Sequence, residues 1–388
     1  MQVSDTLTQA RDNPVAAAGE ALPAMREELL AWYDRQARAM PWRTPPQARR
    51  AGSLPDPYHV WLSEVMLQQT QVATVRAYFL DFIERWPSVE ALALAPAEAV
   101  MQAWAGLGYY SRARNLKRCA ETVWFEHGGR FPRTSAQLQE LPGIGAYTGA
   151  AIAAIAFDEQ VAVVDGNVER VVTRLHEIDI PLARAKPRIR ELVAAMTPQA
   201  RPGDFAQAMM DLGATICTPR KPACALCPLR PACGAARAGS QEAFPVRTAK
   251  AAKPVRRGAA FVARDGQGRV LLRRRAQSGL LGGMSEVPTT AWTARIDGAT
   301  GVAAAPFAGQ WTSKGAIRHT FTHFHLDLEV WLHEGPAPTP QGGRWIALHD
   351  LGNEALPTVM KKAIQSAIPH AFALPGKKQR GTREPNQP

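Results

Sequence analysis

The sequence predicts a multidomain chain: an all-α unit organised around a helix–hairpin–helix and closed by a cysteine loop, followed by a smaller α/β unit. Three observations predict it. Residues 141–170, LPGIGAYTGAAIAAIAFDEQVAVVDGNVER, place a tight Pro-Gly turn between two stretches of helical period. Cys217, Cys224, Cys227 and Cys233 fall at C-x6-C-x2-C-x5-C in a chain with five cysteines. Beyond Cys233 the helical period gives way to alternation, clearest from Phe324 to Trp331. With 388 residues and 46% apolar content, the chain can bury the cores that both units need.

Forty-six Lys and Arg against thirty-four Asp and Glu give a net charge of +12 and a pI near 9.8, which favours a polyanionic partner. No uninterrupted apolar run approaches the roughly eighteen residues of a spanning helix, so no membrane is expected. The first residues lack a basic-then-apolar signal pattern, which points to a reducing cytoplasm, and residues 1–23 read as a flexible leader.

In chain order, an amphipathic helix from about Met25 to Gln36 leads to Pro41-Trp42-Arg43, where Trp42 can serve as an aromatic wall and Arg43 as a cationic hand, or Trp42 can pack a helix end. The Pro/Arg-rich run TPPQARRAGSLPDP reads as an exposed, mobile loop. In WLSEVMLQQTQ, Leu62, Val65 and Met66 mark a buried helical face, and Glu64 sits among bulky apolar neighbours. Crowding of that kind disfavours the charged carboxylate and suits a general acid, although a solvated Glu also fits the register. The amides Gln68, Gln69 and Gln71 can bond bases or decorate a surface. Two short helices follow between Ser88 and Trp104. GLGYYSRARN, residues 106–115, then pairs tyrosines with arginines, which suits base stacking beside phosphate or a Tyr core with arginines outside.

The turn at Pro142-Gly143-Ile144-Gly145 lies between a short helix near 136–140 and a helix restarting at Ala146 or Tyr147. Positive φ at Gly143 and Gly145 would let backbone N–H groups approach a phosphate, and the same pattern serves an ordinary packing unit. Asp165 precedes GNVER, which restarts a helix, so it reads as an N-cap whose helix terminus lowers its pKa and keeps it ionised. Two further helices are expected between 187 and 216. The four cysteines then suit metal in a reducing compartment, and spacing leaves tetrahedral zinc and a [4Fe–4S] cluster both open. Arg220 and Lys221, between the first two cysteines, would be held rigidly against a backbone by a cluster or zinc.

Residues 238–256 are basic and Pro-containing without period, a linker suited to lie along a polyanion. Short strands are expected at Ala259 to Ala263 and Val270 to Leu272, around an Asp265-Gly266 turn. The second domain spans 257–370, and residues 371–388 read as a disordered basic tail.

The hairpin, Asp165, the cysteine loop, WLSEVMLQQTQ and GLGYYSRARN together resemble the endonuclease III superfamily of helix-hairpin-helix DNA glycosylases. Within it, nearly the whole chain is similar to the MutY-type adenine DNA glycosylases. That resemblance implies a helical glycosylase domain over 24–237, with its helix-hairpin-helix near 136–157 and a [4Fe–4S] cluster on Cys217, Cys224, Cys227 and Cys233. The segment GLLGGMSEVP resembles the Nudix-like C-terminal domain of these enzymes without the acidic metal-binding run of true Nudix hydrolases, which implies recognition rather than a second activity.

Carried over by position, the resemblance makes Glu64 the catalytic acid, Asp165 the second carboxylate, and Tyr147 and Asn167 groups close to the reacting sugar. Trp42, Arg43, Leu67, Val72 and Gln207 match the adenine-pocket lining, and Gln69 and Tyr109 match residues that wedge into the duplex. Phe321, Thr322 and His323 match the loop that probes 8-oxoguanine, with Thr322 where serine is usual and Leu281 where an aromatic is expected. Lysine at position 147 would form a Schiff base with the sugar, and a phenol cannot. The implied activity is therefore monofunctional: Glu64 protonates N7 of an extruded adenine mispaired with 8-oxoguanine or guanine in double-stranded DNA, and Asp165 meets the oxocarbenium-like sugar. A monomer acting on the nucleoid is expected.

Overall fold

The computed structural model describes residues 21–248, 252–276 and 279–372. Most of the expected leader, the expected tail from 373 and the middle of the expected linker lie outside them. The described residues divide into two compact units, residues 21–100 with 112–248, and residues 101–111 with 252–276 and 279–372.

The helical elements are α1 (Ala21–Gln36), α2 (Pro46–Arg50), α3 (Pro57–Leu67), α4 (Val72–Arg85), α5 (Val89–Leu94), α6 (Ala97–Ala103), α7 (Ser111–Glu126), α8 (Ser135–Leu138), α9 (Ala146–Phe157), α10 (Gly166–Leu175), α11 (Leu182–Met196), α12 (Pro202–Thr215) and α13 (Gly234–Ala238). Side-chain caps set several starts: the Asp56 carboxylate accepts from Tyr58 N, Ser88 from Ala91 N, and Thr134 from Gln137 N. The run expected to be a mobile loop holds α2 instead. Pro46 starts that helix, and Arg49 donates to the Ile155 carbonyl at 3.0 Å and to Asp158 at 2.7 Å, near the end of α9. Helix α11 starts at Leu182, earlier than expected, and carries Pro187 inside it while Ala185 and Ile189 face the core. One missing N–H is outweighed by that burial.

Helix α9 is the axis of the first unit. Thr148 to Ala156 are all buried, as a helix packed on every side requires, and the small side chains let α3, α8 and α12 approach. A Cβ on Gly203 would stand 2.3 Å from the Ala154 carbonyl oxygen, and one on Gly213 2.5 Å from Asn167 Cβ. At both places α12 therefore lies in backbone contact with its neighbours, α9 and α10. In the hairpin turn only Gly143 has positive φ, +78°, whereas Gly145 has φ −96° and caps α9. The expectation of positive φ at both glycines is thus corrected: the turn needs one left-handed residue, and Gly145 leaves open space where a Cβ would be.

Arg112 is buried, contrary to a layout with both arginines outside. Its Nη1 donates to the carbonyls of Val65 and Met66, each at 2.9 Å, and Nη2 to Thr70 Oγ1 at 3.1 Å. It thereby satisfies carbonyls at the end of α3 that have no partner within the helix. Arg112→Ala is expected to cost roughly 2–3 kcal/mol by stranding those acceptors, read as a fall in Tm of about 5–10 °C. An unchanged Tm would mean water replaces the guanidinium there.

The second unit is a mixed sheet of β1 (Val255–Arg264), β2 (Val270–Arg274), β3 (Ser285–Glu286), β4 (Thr312–Thr320), β5 (His325–Glu334) and β6 (Gly343–Ile346), with α14 (Thr358–Ala367). Strand order is β3-β2-β1-β5-β4, with β6 also paired to β2, and β1 and β5 run parallel from Val255↔His325 to Arg264↔Glu334. The alternation expected for Phe324 to Trp331 is present: Leu326, Leu328, Val330 and Leu332 point into a core completed by Val359, Met360 and Ile364 of α14. At the start of the segment expected to link the units, Phe244 O accepts from Arg174 Nε at 3.3 Å and Val246 O from Leu182 N at 2.9 Å.

Candidate active site

A cavity of about 890 Å³ in the first unit is built from helix ends. Glu64 comes from the last turn of α3, Tyr147 from the first turn of α9, Asp165 caps α10 with Asn167 just inside it, and Gln207 faces in from α12. Trp42, Arg43, Leu67, Gln69, Val72, Gly143 and Gly145 line the same space. The structure therefore gathers residues spread over more than 160 positions of the sequence around one opening.

Glu64 is 7% exposed, and the Tyr147 hydroxyl donates to its Oε2 at 2.9 Å. Burial raises its pKa to about 7, against the lowering effects of the Tyr147 hydrogen bond and the Arg43 charge. This is the environment expected from its apolar neighbours. The Tyr147 phenol, itself buried and beside Glu64, is raised well above its ordinary 10.0, which keeps it a neutral donor.

Asp165 is the N-cap expected from sequence. Its Oδ1 accepts from the backbone N–H of Asn167 at 2.9 Å and of Val168 at 2.7 Å, and its Oδ2 from Asn167 Nδ2 at 2.8 Å. Its pKa, however, is raised rather than lowered. Burial is the largest effect and outweighs the three hydrogen bonds and the Arg170 charge, which favour the ionised form.

Arg170 joins this helix to the cysteine loop: Nη2 donates to Asn167 Oδ1 at 2.9 Å and Gly213 O at 2.6 Å, and Nε to Cys217 O at 2.7 Å. Arg174 sends Nη1 to Cys217 Sγ at 3.3 Å and to Thr218 O at 2.7 Å. Cys217, Cys224, Cys227 and Cys233 are half-buried and line one small cavity. Among the described residues no three His, Cys, Asp or Glu side chains close on a point as a single ion would need. Four thiols around one cavity are a donor set that suits tetrahedral zinc or a [4Fe–4S] cluster. Arg220 and Lys221 are exposed, and Lys221 has φ +47° with its N–H bonded to Glu242 at 2.8 Å.

Gln69, at the cavity mouth, and Tyr109 both have positive φ, +57° and +47°, uncommon for residues with a Cβ. Tyr109 is 43% exposed. Within the second unit its hydroxyl lies 2.9 Å from Thr322 Oγ1. Thr322 and His323 form an exposed turn, closed by the bond from Phe321 N to Phe324 O at 2.8 Å and by stacking of the two rings at 4.6 Å. Phe321 itself packs against the sheet core, and Leu281, at φ +58°, also packs there.

Sequence reasoning passed over Arg38 and Asp211. Asp211 has no exposed side-chain surface and pairs with Arg38 at 2.6 Å and Arg43 at 2.8 Å. The available signal was an acid inside the apolar run AMMDLG.

A helical fold with a buried and a half-buried carboxylate beside a glycine hairpin suits a base-excision DNA glycosylase, and the model of the HhH-GPD superfamily of base excision DNA repair proteins matches residues 62–195. A NUDIX domain model matches residues 259–366. The chain belongs to the adenine DNA glycosylase family: it is 37% identical to the human adenine DNA glycosylase over 407 residues, covering 88% of this chain and 73% of that one. To the adenine DNA glycosylase of Mycolicibacterium smegmatis it is 43% identical over 205 residues, 52% of this chain and 66% of that one. Among solved structures, a thermostable thymine-DNA glycosylase superposes with a TM-score of 0.51 at 28% identity, covering 57% of this chain and 99% of that one.

Proposed function

We propose that this DNA N-glycosylase removes adenine mispaired with 8-oxoguanine or guanine in duplex DNA by hydrolysis, without a lyase step. The observation that carries the proposal is Glu64, buried and proton-holding near neutral pH, with Tyr147 donating to one of its oxygens. Because the phenol occupies Oε2 as a donor, the carboxyl proton resides on Oε1. Delivered to N7 of an extruded adenine, it lets the C1′–N9 electron pair leave with a neutral base. Asp165, whose charged form is favoured by three donors and the Arg170 charge, faces the positive charge that develops on the sugar. Water then adds to C1′ and its proton returns to Glu64.

Gln69 and Tyr109 enter the duplex, Trp42, Leu67, Val72 and Gln207 receive the base, and Thr322 and His323 probe the opposite base. Gly143 presents its turn to a phosphate. Cys217, Cys224, Cys227 and Cys233 hold a [4Fe–4S] cluster, which when bound fixes the loop carrying Arg220 and Lys221 toward the backbone. The protein acts as a monomer in the cytoplasm, on the nucleoid.

Single-turnover cleavage of duplexes with A opposite 8-oxoguanine, G, C or T, and with T opposite G, tests the reading. Release is expected from A opposite 8-oxoguanine and G, fastest with the former, and release of T from T opposite G would overturn it. Borohydride is expected to trap almost no covalent complex, since position 147 offers a phenol and no amine. Trapping at the level of a lysine-bearing relative would refute the monofunctional assignment.

A further inference from the structure

Glu64, Tyr147 and Asp165 account for proton and charge, yet a cation shares their cavity. Arg43 is 9% exposed, and its charge acts on Glu64 in favour of the carboxylate. Unopposed, it would draw off the proton that Glu64 has to deliver. Facing Glu64 are Tyr147 from α9, Asp165 from the start of α10 and Arg43 from the turn after α1. Facing Arg43 are Asp211 from α12, Tyr33 from α1 and Glu64 from α3. Burial pushes the Tyr33 phenol up to about 12, so it carries no charge, and the countercharge comes from Asp211.

Asp211 is fully engaged. Oδ2 accepts from Arg43 Nη1 at 2.8 Å and from the Arg38 backbone N–H at 3.0 Å, and Oδ1 accepts from Arg38 Nε and Nη2, each at 2.6 Å. Burial works against its ionisation, but Arg43 and Arg38 outweigh burial and hold the carboxyl below its usual range. We propose that Asp211 is a positioning residue that takes up the charge and fixes the direction of Arg43, so that a guanidinium can line the base pocket while Glu64 keeps its proton. The proposal rests on the reading of Glu64 as the acid.

The test is the pH profile of single-turnover adenine release from an A:G duplex for the full chain and its Asp211→Asn, Arg43→Gln, double and Glu64→Gln variants. In Asp211→Asn the fall in rate at high pH is expected to shift down by about half a unit or more, a roughly threefold loss at pH 8 relative to the low-pH plateau. In Arg43→Gln it is expected to shift up, and adding Asp211→Asn to Arg43→Gln is expected to leave it in place, because the carboxylate acts through the arginine. A uniform loss at every pH in Asp211→Asn would overturn the proposal by showing a structural role alone. Should Asp211→Asn fail to fold, recovery of the fold in the double variant supports the pairing, and failure of both overturns it. Adenine release by Glu64→Gln would instead remove the underlying reading. An inactive Glu64→Gln with an unmoved Asp211→Asn profile sinks this proposal alone.

Discussion

Glu64→Gln is expected to bind mispaired DNA as the unchanged chain does and to release adenine on the order of 10³-fold more slowly, since the amide has no proton to give. In the unchanged chain, release requires protonated Glu64. With its pKa raised to about 7, the rate is expected to drop roughly tenfold per unit at higher pH. Stability follows the same group. Its folded pKa stands above the ordinary 4.5, so stability is greatest below pH 4.5, falls as pH rises, and has lost its full share above about 7. Removing the ionisable group should therefore raise Tm at pH 8, by at most roughly 3 kcal/mol of stability. A variant that is slow to release and also less stable at pH 8 would show that Glu64 acts through packing.

Asp165→Asn separates the two parts that one side chain plays. Asparagine caps helices about as well as aspartate, so α10 and the melting temperature should be nearly unchanged. The charge facing the sugar is lost, with an expected fall in single-turnover rate of about 10²- to 10³-fold. Asp165→Ala should lose the rate and about 1 kcal/mol of stability as well. Adenine release by Asp165→Asn at the original rate would leave the carboxylate only its structural part.

Much of this was legible in the sequence because it is local. The hairpin is a Pro-Gly turn, Asp165 is one residue before a helix, and the apolar neighbours of Glu64 in α3 announce its burial. The strand from His325 showed itself by period two. Long-range facts were not legible. Arg112 reaches carbonyls 46 and 47 residues away, and Asp211 meets Arg38 across 173 positions, so their own segments do not name the partners they meet. The direction of the Asp165 shift failed for the same reason: its hydrogen bonds are local, while its desolvation is imposed by the whole fold. The helix at Pro46–Arg50 was hidden by prolines that mark a start as readily as a loop.

The contacts at Gly203 and Gly213 bear on who bends when protein meets substrate. With α12 touching the backbone of α9 and a residue of α10 at those points, no slack exists for one helix to slide on another. The cavity walls then behave as a fixed die. Work needed to bring a base into such a die falls on the duplex, through lost stacking and pairing, and a weakened pair yields more readily than a sound one. Stiffness in the helices would thus act as a filter, sorting base pairs by how easily they come apart before any chemistry begins.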